Sequence, residues 1–151
     1  MKRVVVDASL ALKWFFRLRD GEQDVSAALR LLKGISDNPL ALLQPRRFIA
    51  EVAAVLARDS PSTAGASLND LLDIELQVVE SAAIYARAVA LATRHDHHLF
   101  DTLYHALALD LGNAVLVTAD ARYVRKARSE GGIVLLADID FNHVRGSPPA
   151  R

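Results

Sequence analysis

The chain has 151 residues, of which 52% are hydrophobic, enough for one domain with a sizeable buried core. Lys plus Arg and Asp plus Glu are both 18, so no overall basic field advertises a nucleic-acid partner and any polyanion must be held locally. The lack of cysteine excludes disulfide frameworks and thiolate metal sites, and Asp7 and Lys13 interrupt the apolar N-terminal stretch too early for a signal segment or membrane span, so a cytoplasmic protein is expected.

Val4-Val5-Val6 is a β-branched run that stops on Asp7 and reads as a strand buried on both faces. Ser9 is expected to cap a short helix carrying Leu10, Leu12, Trp14, Phe15 and Phe16, which Asp20-Gly21 breaks. A second helix is expected from Gln23 to Ile35, a turn at Asp37-Asn38-Pro39, and a second strand over Leu40 to Leu43. Pro45 opens a helix that runs to Arg58. Ser60 to Ser67, rich in Ser, Pro, Ala and Gly, reads as a loop, followed by a helix from Leu68 to Asp73 and a third strand from Leu76 to Glu80. Ser81 caps an alanine-rich helix reaching His95, and a further helix runs from Asp101 to Leu111, closed by Gly112. Ala114 to Thr118 is the fourth strand, Ala121 to Arg128 a basic helix, Gly131-Gly132 a turn and Ile133 to Leu136 the fifth strand. A single domain is expected over residues 1–144, with 145–151 a flexible tail. Strands alternating with helices argue a parallel sheet with helices on both faces, hence an α/β fold of five strands.

In open α/β sheets, ligands bind beyond the carboxyl ends of the strands, which makes Asp7 and Asp120 the first suspects. They overhang one crevice only if strands one and four are neighbours, which spacing does not show. Glu51 lies roughly 40° around its helix from Val55, and Asp101 roughly 20° from Ala108, so both border buried faces. Carboxylates gathered this closely repel one another unless a cation compensates, and oxygen donors select a hard ion, Mg²⁺ or Mn²⁺. Such an ion lowers the pKa of a water and stabilises charge on a phosphodiester oxygen. Each acid also has a local reading. Asp7, Asp101 and Asp120 are suitable helix caps, and Glu51 has Arg47 and Arg58 within reach. His95, His97 and His98 read as a solvated helix end with no ligand role, while Arg122, Arg125 and Lys126 form a basic helix that either holds phosphates or faces water.

Taken in order, Val4-Val5-Val6-Asp7-Ala8-Ser9, Pro45 through Glu51-Val52 to Arg58, Asp101 to Ala108, and Val117-Thr118-Ala119-Asp120 with Arg122 resemble the PIN domain, most closely the VapC-type toxin ribonucleases of toxin–antitoxin pairs. The resemblance implies an α/β/α sandwich with a five-stranded parallel sheet ordered 3-2-1-4-5. It also implies metal ligation by Asp7, Glu51, Asp101 and Asp120, with Ser9 and Thr118 in support. Mg²⁺- or Mn²⁺-dependent cleavage of RNA, homodimerisation and inhibition by a VapB-type antitoxin follow from it as expectations. Trp14, Phe15 and Phe16 suit such a partner surface. Thr102 replaces the family's usual Ala, and the region from Asp59 to Ala66 is less basic than in many relatives. Two alternatives are a non-catalytic RNA- or protein-binding module and a phosphatase in which Asp7 is phosphorylated. Ser9 stands where such hydrolases place a second Asp, which disfavours the latter.

Overall fold

The computed structural model describes residues 2–16, 21–37 and 39–141. The expected domain limit at 144 and the tail 145–151 lie outside the described residues, as do Asp20 and Asn38 of two expected turns. The elements are β1 (Lys2–Val6), α1 (Ala8–Leu12), α2 (Val25–Ser36), β2 (Leu40–Gln44), α3 (Phe48–Asp59), α4 (Ala64–Leu72), β3 (Gln77–Val78), α5 (Ala82–His95), α6 (Leu99–Leu111), β4 (Ala114–Thr118), α7 (Ala121–Ala127) and β5 (Ile133–Leu135). The strands form one five-stranded sheet in the order β3-β2-β1-β4-β5, with every pairing parallel.

Successive strand side chains point to opposite faces. Val4, Val5 and Val6 are all fully buried, so both faces of the central strand are covered. α6 packs against β1, β4 and α5, and it is buried without interruption from Thr102 to Ala108. The departure at Thr102 has a structural use, because its hydroxyl donates to the Ala88 carbonyl of α5 at 2.9 Å and to Leu99 O at 3.1 Å.

Several boundaries differ from the sequence reading. The cap of α1 is Asp7 rather than Ser9, since Asp7 accepts from Leu10 N, and the helix ends at Leu12. The following turn folds Trp14 and Phe16 into the core, where Trp14 Nε1 donates to Ala28 O of α2 at 2.9 Å. The aromatic run is therefore mostly core, and Phe15 alone of the three stays half-exposed. α4 starts at Ala64 within the expected loop, because Ala64 and Ala66 favour helix strongly enough to carry Gly65 between them. β3 is two exposed residues at the sheet edge, where only one neighbour supplies ladder bonds. α6 begins at Leu99 with His98 at the cap position, so Asp101 lies inside the first turn and is not the cap. Ser81 does cap α5, and Gly112 closes α6 with a φ of 72°.

One residue shapes the crevice above the sheet. The β1–β2 register runs Lys2↔Leu40 to Val4↔Leu42, and beyond it the Gln44 side chain replaces the β2 backbone as partner. Its Oε1 accepts from Val6 N at 3.0 Å and its Nε2 donates to Val6 O at 2.8 Å, while its own carbonyl accepts from Val79 N. The amide acts as a surrogate peptide that satisfies β1 while the two strand ends separate. Gln44→Leu is expected to destabilise the fold by about 2–5 kcal/mol, because two buried backbone groups lose their partners. Urea denaturation at neutral pH measures it.

Candidate active site

Asp7 continues β1 at its carboxyl end, and the register Val6↔Val117 sets it opposite Thr118 of β4. The adjacency that spacing could not show is thus present. Asp7 Oδ1 accepts from Leu10 N at 2.9 Å and from Ser9 Oγ at 3.0 Å, while Oδ2 accepts a short bond from Thr118 Oγ1. Thr118 Oγ1 in turn accepts from Asp120 N at 3.1 Å, so one hydroxyl ties two of the acids together. Burial pushes the Asp7 carboxyl above its ordinary range and nearby Asp101 adds to this, against the opposing bonds from Thr118, Leu10 and Ser9.

Glu51 projects from α3 toward α6. Its Oε2 accepts from Tyr104 OH at 3.0 Å and its Oε1 from Arg47 Nε at 2.5 Å. The local pairing with Arg47 is therefore real, whereas Arg58 pairs with Asp59 instead. Arg47 also stacks its guanidinium 3.5 Å from the centre of the Phe100 ring. Tyr104 is buried, and burial first, then Glu51 and Asp7, holds its phenol far above the ordinary range. A hydroxyl that stays protonated is thus placed beside two acids.

Asp101 and Asp120 meet at His97, whose Nε2 lies 3.1 Å from Asp101 Oδ2 and 3.7 Å from Asp120 Oδ2. The cap reading of Asp120 holds for its other oxygen, because Oδ1 accepts from Tyr123 N at 3.0 Å. The reading of solvated histidines holds for the exposed His98 but not for His95 and His97. His95 is half-buried against Glu130, and His97 turns inward because Asp96 adopts a left-handed conformation with φ 47° at the end of α5. The sequence signal was faint: an Asp at the position where a helix reverses, followed by a ring four residues before Asp101.

The His97 ring stacks on Tyr123, with centroids 4.4 Å apart and planes at 28°. Behind it, His105 Nε2 lies 2.7 Å from Gly131 O and Nδ1 2.8 Å from Tyr123 OH. A carbonyl only accepts, so Nε2 carries the hydrogen and Nδ1 accepts from the phenol. Burial lowers the His105 pKa, which keeps this neutral tautomer in place.

Among the described residues, His97, Asp101 and Asp120 present ligand atoms that all lie within 4.8 Å of one another. Asp7 joins this group through Thr118, and Glu51 stands apart, across a groove of about 580 Å³ lined by Ser9, Arg47, Glu51, Phe100 and Asp101. A second hollow of about 450 Å³ shares Asp101 and His98 with it and is walled by Arg122 and Lys126, while Arg125 does not line it. Among the described residues the ion-pair partner of both Asp101 and Asp120 is an imidazole rather than a lysine or arginine. A donor set of carboxylate oxygens with one imidazole nitrogen fits a divalent cation.

The matched region defines the class: the PIN domain family covers residues 4–146, and the chain belongs to it. Solved structures share the fold. PAE2754 of Pyrobaculum aerophilum is 21% identical, with a TM-score of 0.60 over 90% of this chain and 92% of its own. The Mycobacterium tuberculosis toxin VapC20, described as cleaving the sarcin-ricin loop, is 19% identical with a TM-score of 0.60 over 81% and 93%. A toxin–antitoxin complex from Klebsiella pneumoniae is 18% identical with a TM-score of 0.62 over 90% and 99%. No curated protein matches the chain.

Two measurements check this network. Thr118→Val keeps the shape but removes the donor to Asp7, and is expected to cost about 1–3 kcal/mol in urea denaturation. His105 has a depressed pKa in the fold, so its contribution is present above the unfolded value of about 6.5 and is lost as pH falls through the folded one. Unfolding free energies between about pH 7.5 and pH 5.5 are therefore expected to fall more steeply for the wild type than for His105→Gln.

Proposed function

We propose that this chain is a VapC-type toxin, an endoribonuclease that hydrolyses RNA phosphodiester bonds with Mg²⁺ or Mn²⁺ and is restrained by a VapB-type antitoxin. The observation that carries the reading is the gathering of acids beyond the ends of β1 and β4: Asp101 and Asp120 meet beside His97, Asp7 lies within electrostatic reach of Asp101, and Glu51 lines one groove with Asp101. The fold shared with a toxin described as cleaving the sarcin-ricin loop and with a toxin–antitoxin complex supports it.

In this reading Asp7, Asp101 and Asp120 hold the cation and Glu51 completes the cluster or orients the attacking water. A bound divalent ion supplies polarisation of the phosphodiester and acidification of water. The chain's own residues set up that chemistry. Thr118, Ser9 and Leu10 N fix the Asp7 carboxylate, and Tyr104 and Arg47 hold Glu51 at the groove wall. Arg122 and Lys126, four residues apart on α7, face the hollow beside Asp101 and are suited to the phosphates of a bound strand. Arg125, outside that hollow, meets only a longer RNA.

For the antitoxin, Phe15 lines a hollow of about 560 Å³ with Leu32 and Ile35, rimmed by Asp70, Asp73 and Glu75, which suits an apolar segment with basic flanks. Homodimerisation has support in Tyr85 and Val89, exposed one turn apart on α5. Among the described residues no helix is long and apolar enough to cross a membrane, and a cytoplasmic site of action fits an RNA target. Residues 1–144 act as the catalytic domain in this reading, with 145–151 as a tail.

Purified Asp7→Asn and Asp120→Asn are expected to lose RNA cleavage in Mg²⁺ or Mn²⁺ while their circular dichroism shows the fold intact. Wild-type cleavage by Asp7→Asn would overturn the reading.

A further inference from the structure

We propose that His97 is a nitrogen ligand of the bound cation, making this a mixed imidazole and carboxylate site that favours Mn²⁺ over Mg²⁺. The inference rests on the metal-site reading above and concerns which atoms hold the ion and which ion is preferred.

Three observations carry it. The first is spacing. With metal–ligand bonds of about 2.1 Å, neighbouring ligands of an octahedral ion stand about 3 Å apart. The His97 Nε2 distances of 3.1 Å to Asp101 Oδ2 and 3.7 Å to Asp120 Oδ2 are of that order, so all three atoms can serve one ion without moving the backbone. The second is fixation. The His97 ring is mostly covered and lies flat on Tyr123, whose own backbone N–H holds the Oδ1 of Asp120. Tyr123 is buried and anchored through His105 to the Gly131 carbonyl, so one residue orients two of the three ligands. The third is direction. The left-handed backbone at Asp96 carries the chain away from the α5 axis and points the next ring at the acids instead of into solvent.

The preference for Mn²⁺ follows from donor chemistry. Mg²⁺ seeks oxygen and keeps several waters, whereas first-row transition ions accept imidazole nitrogen as well, Mn²⁺ the most weakly of them but more readily than Mg²⁺. Replacing one carboxylate or water position by a nitrogen therefore gains affinity for Mn²⁺ and leaves Mg²⁺ unaided. The same contacts also suit plain histidine–aspartate ion pairs, and the bound ion separates the two readings. A ligand nitrogen couples magnetically to Mn²⁺, and an ion-pairing imidazole displaced by the metal does not.

The test uses the full chain with Mn²⁺ as probe, in the wild type and in His97→Leu, His97→Gln, His95→Ala and Asp120→Asn. Pulsed electron paramagnetic resonance of bound Mn²⁺ is expected to show nitrogen-14 coupling in the wild type and in His95→Ala, and none in the two His97 variants. The Mn²⁺ Kd is expected to weaken about tenfold or more in His97→Leu, with the Mg²⁺ Kd unchanged in competition. His97→Gln keeps a polar side chain and carries the same expectation should His97→Leu fold poorly. Mn²⁺ binding that Asp120→Asn abolishes, but that lacks nitrogen coupling or is unaltered in the His97 variants, overturns the role of His97 and leaves the metal site standing. Failure of the wild type to bind Mn²⁺ at all overturns both.

Discussion

The bond from Thr118 to Asp7 is the contact on which the rest of the site depends. It crosses from β4 to β1 at the point where both strands end, and it exists only because the two strands are parallel neighbours in the register Val6↔Val117. A carboxylate at the buried end of a central strand is costly unless donors surround it. Asp7 meets that cost with a hydroxyl from the next strand, a backbone N–H at the start of α1 and the Ser9 hydroxyl, and still its carboxyl is pushed above the usual range. Because Thr118 also accepts from the Asp120 backbone, any shift of β4 relative to β1 would disturb both acids together.

Around that contact, electrostatic strain is distributed rather than cancelled. Glu51 is neutralised locally by Arg47 and accepts from a phenol that stays protonated, whereas Asp101 and Asp120 share a histidine. Arg47 is itself held over the Phe100 ring, so the cation that pairs with Glu51 is anchored at the groove wall. On the strand-end side Asp101 and Asp120 pair with His97, and the basic residues Arg122 and Lys126 share a hollow with Asp101. A chain with no net charge in this way sets a cluster of acids beside a local basic surface.

Neutral hydrogen-bonded groups supply the rigidity. Gln44 substitutes for a peptide where β2 parts from β1, Thr102 fastens α6 to α5, and His105 with Tyr123 forms a buried base beneath His97. Buried polar groups of this kind hold one arrangement because every alternative leaves a donor or acceptor unpaired. Apart from Thr102, which stands out as a departure from the family pattern, none was singled out by a pattern in the chain. Gln44 follows an apolar strand and His105 and Tyr123 lie within helices, and a hydrogen-bond partner distant in sequence leaves no local periodicity to mark them.

By itself the sequence determined the kinds of element and their order, since apolar runs such as Val4 to Val6 and Ala114 to Thr118 and the breaks at Gly112 and Gly131 are local signals. It also marked Asp7, Glu51, Asp101 and Asp120 through their places at strand ends and core margins, and a family resemblance supplied the strand order later found in the sheet. Only the tertiary structure decided which of these meet. Thr118 and Asp7 are 111 residues apart, Tyr104 and Glu51 are 53 apart, and their contacts depend on strand register and helix packing rather than on neighbouring residues. The direction of His97 is likewise tertiary: one left-handed residue, Asp96, and the buried ring of Tyr123 turn a histidine that reads as solvent-facing into a neighbour of two acids.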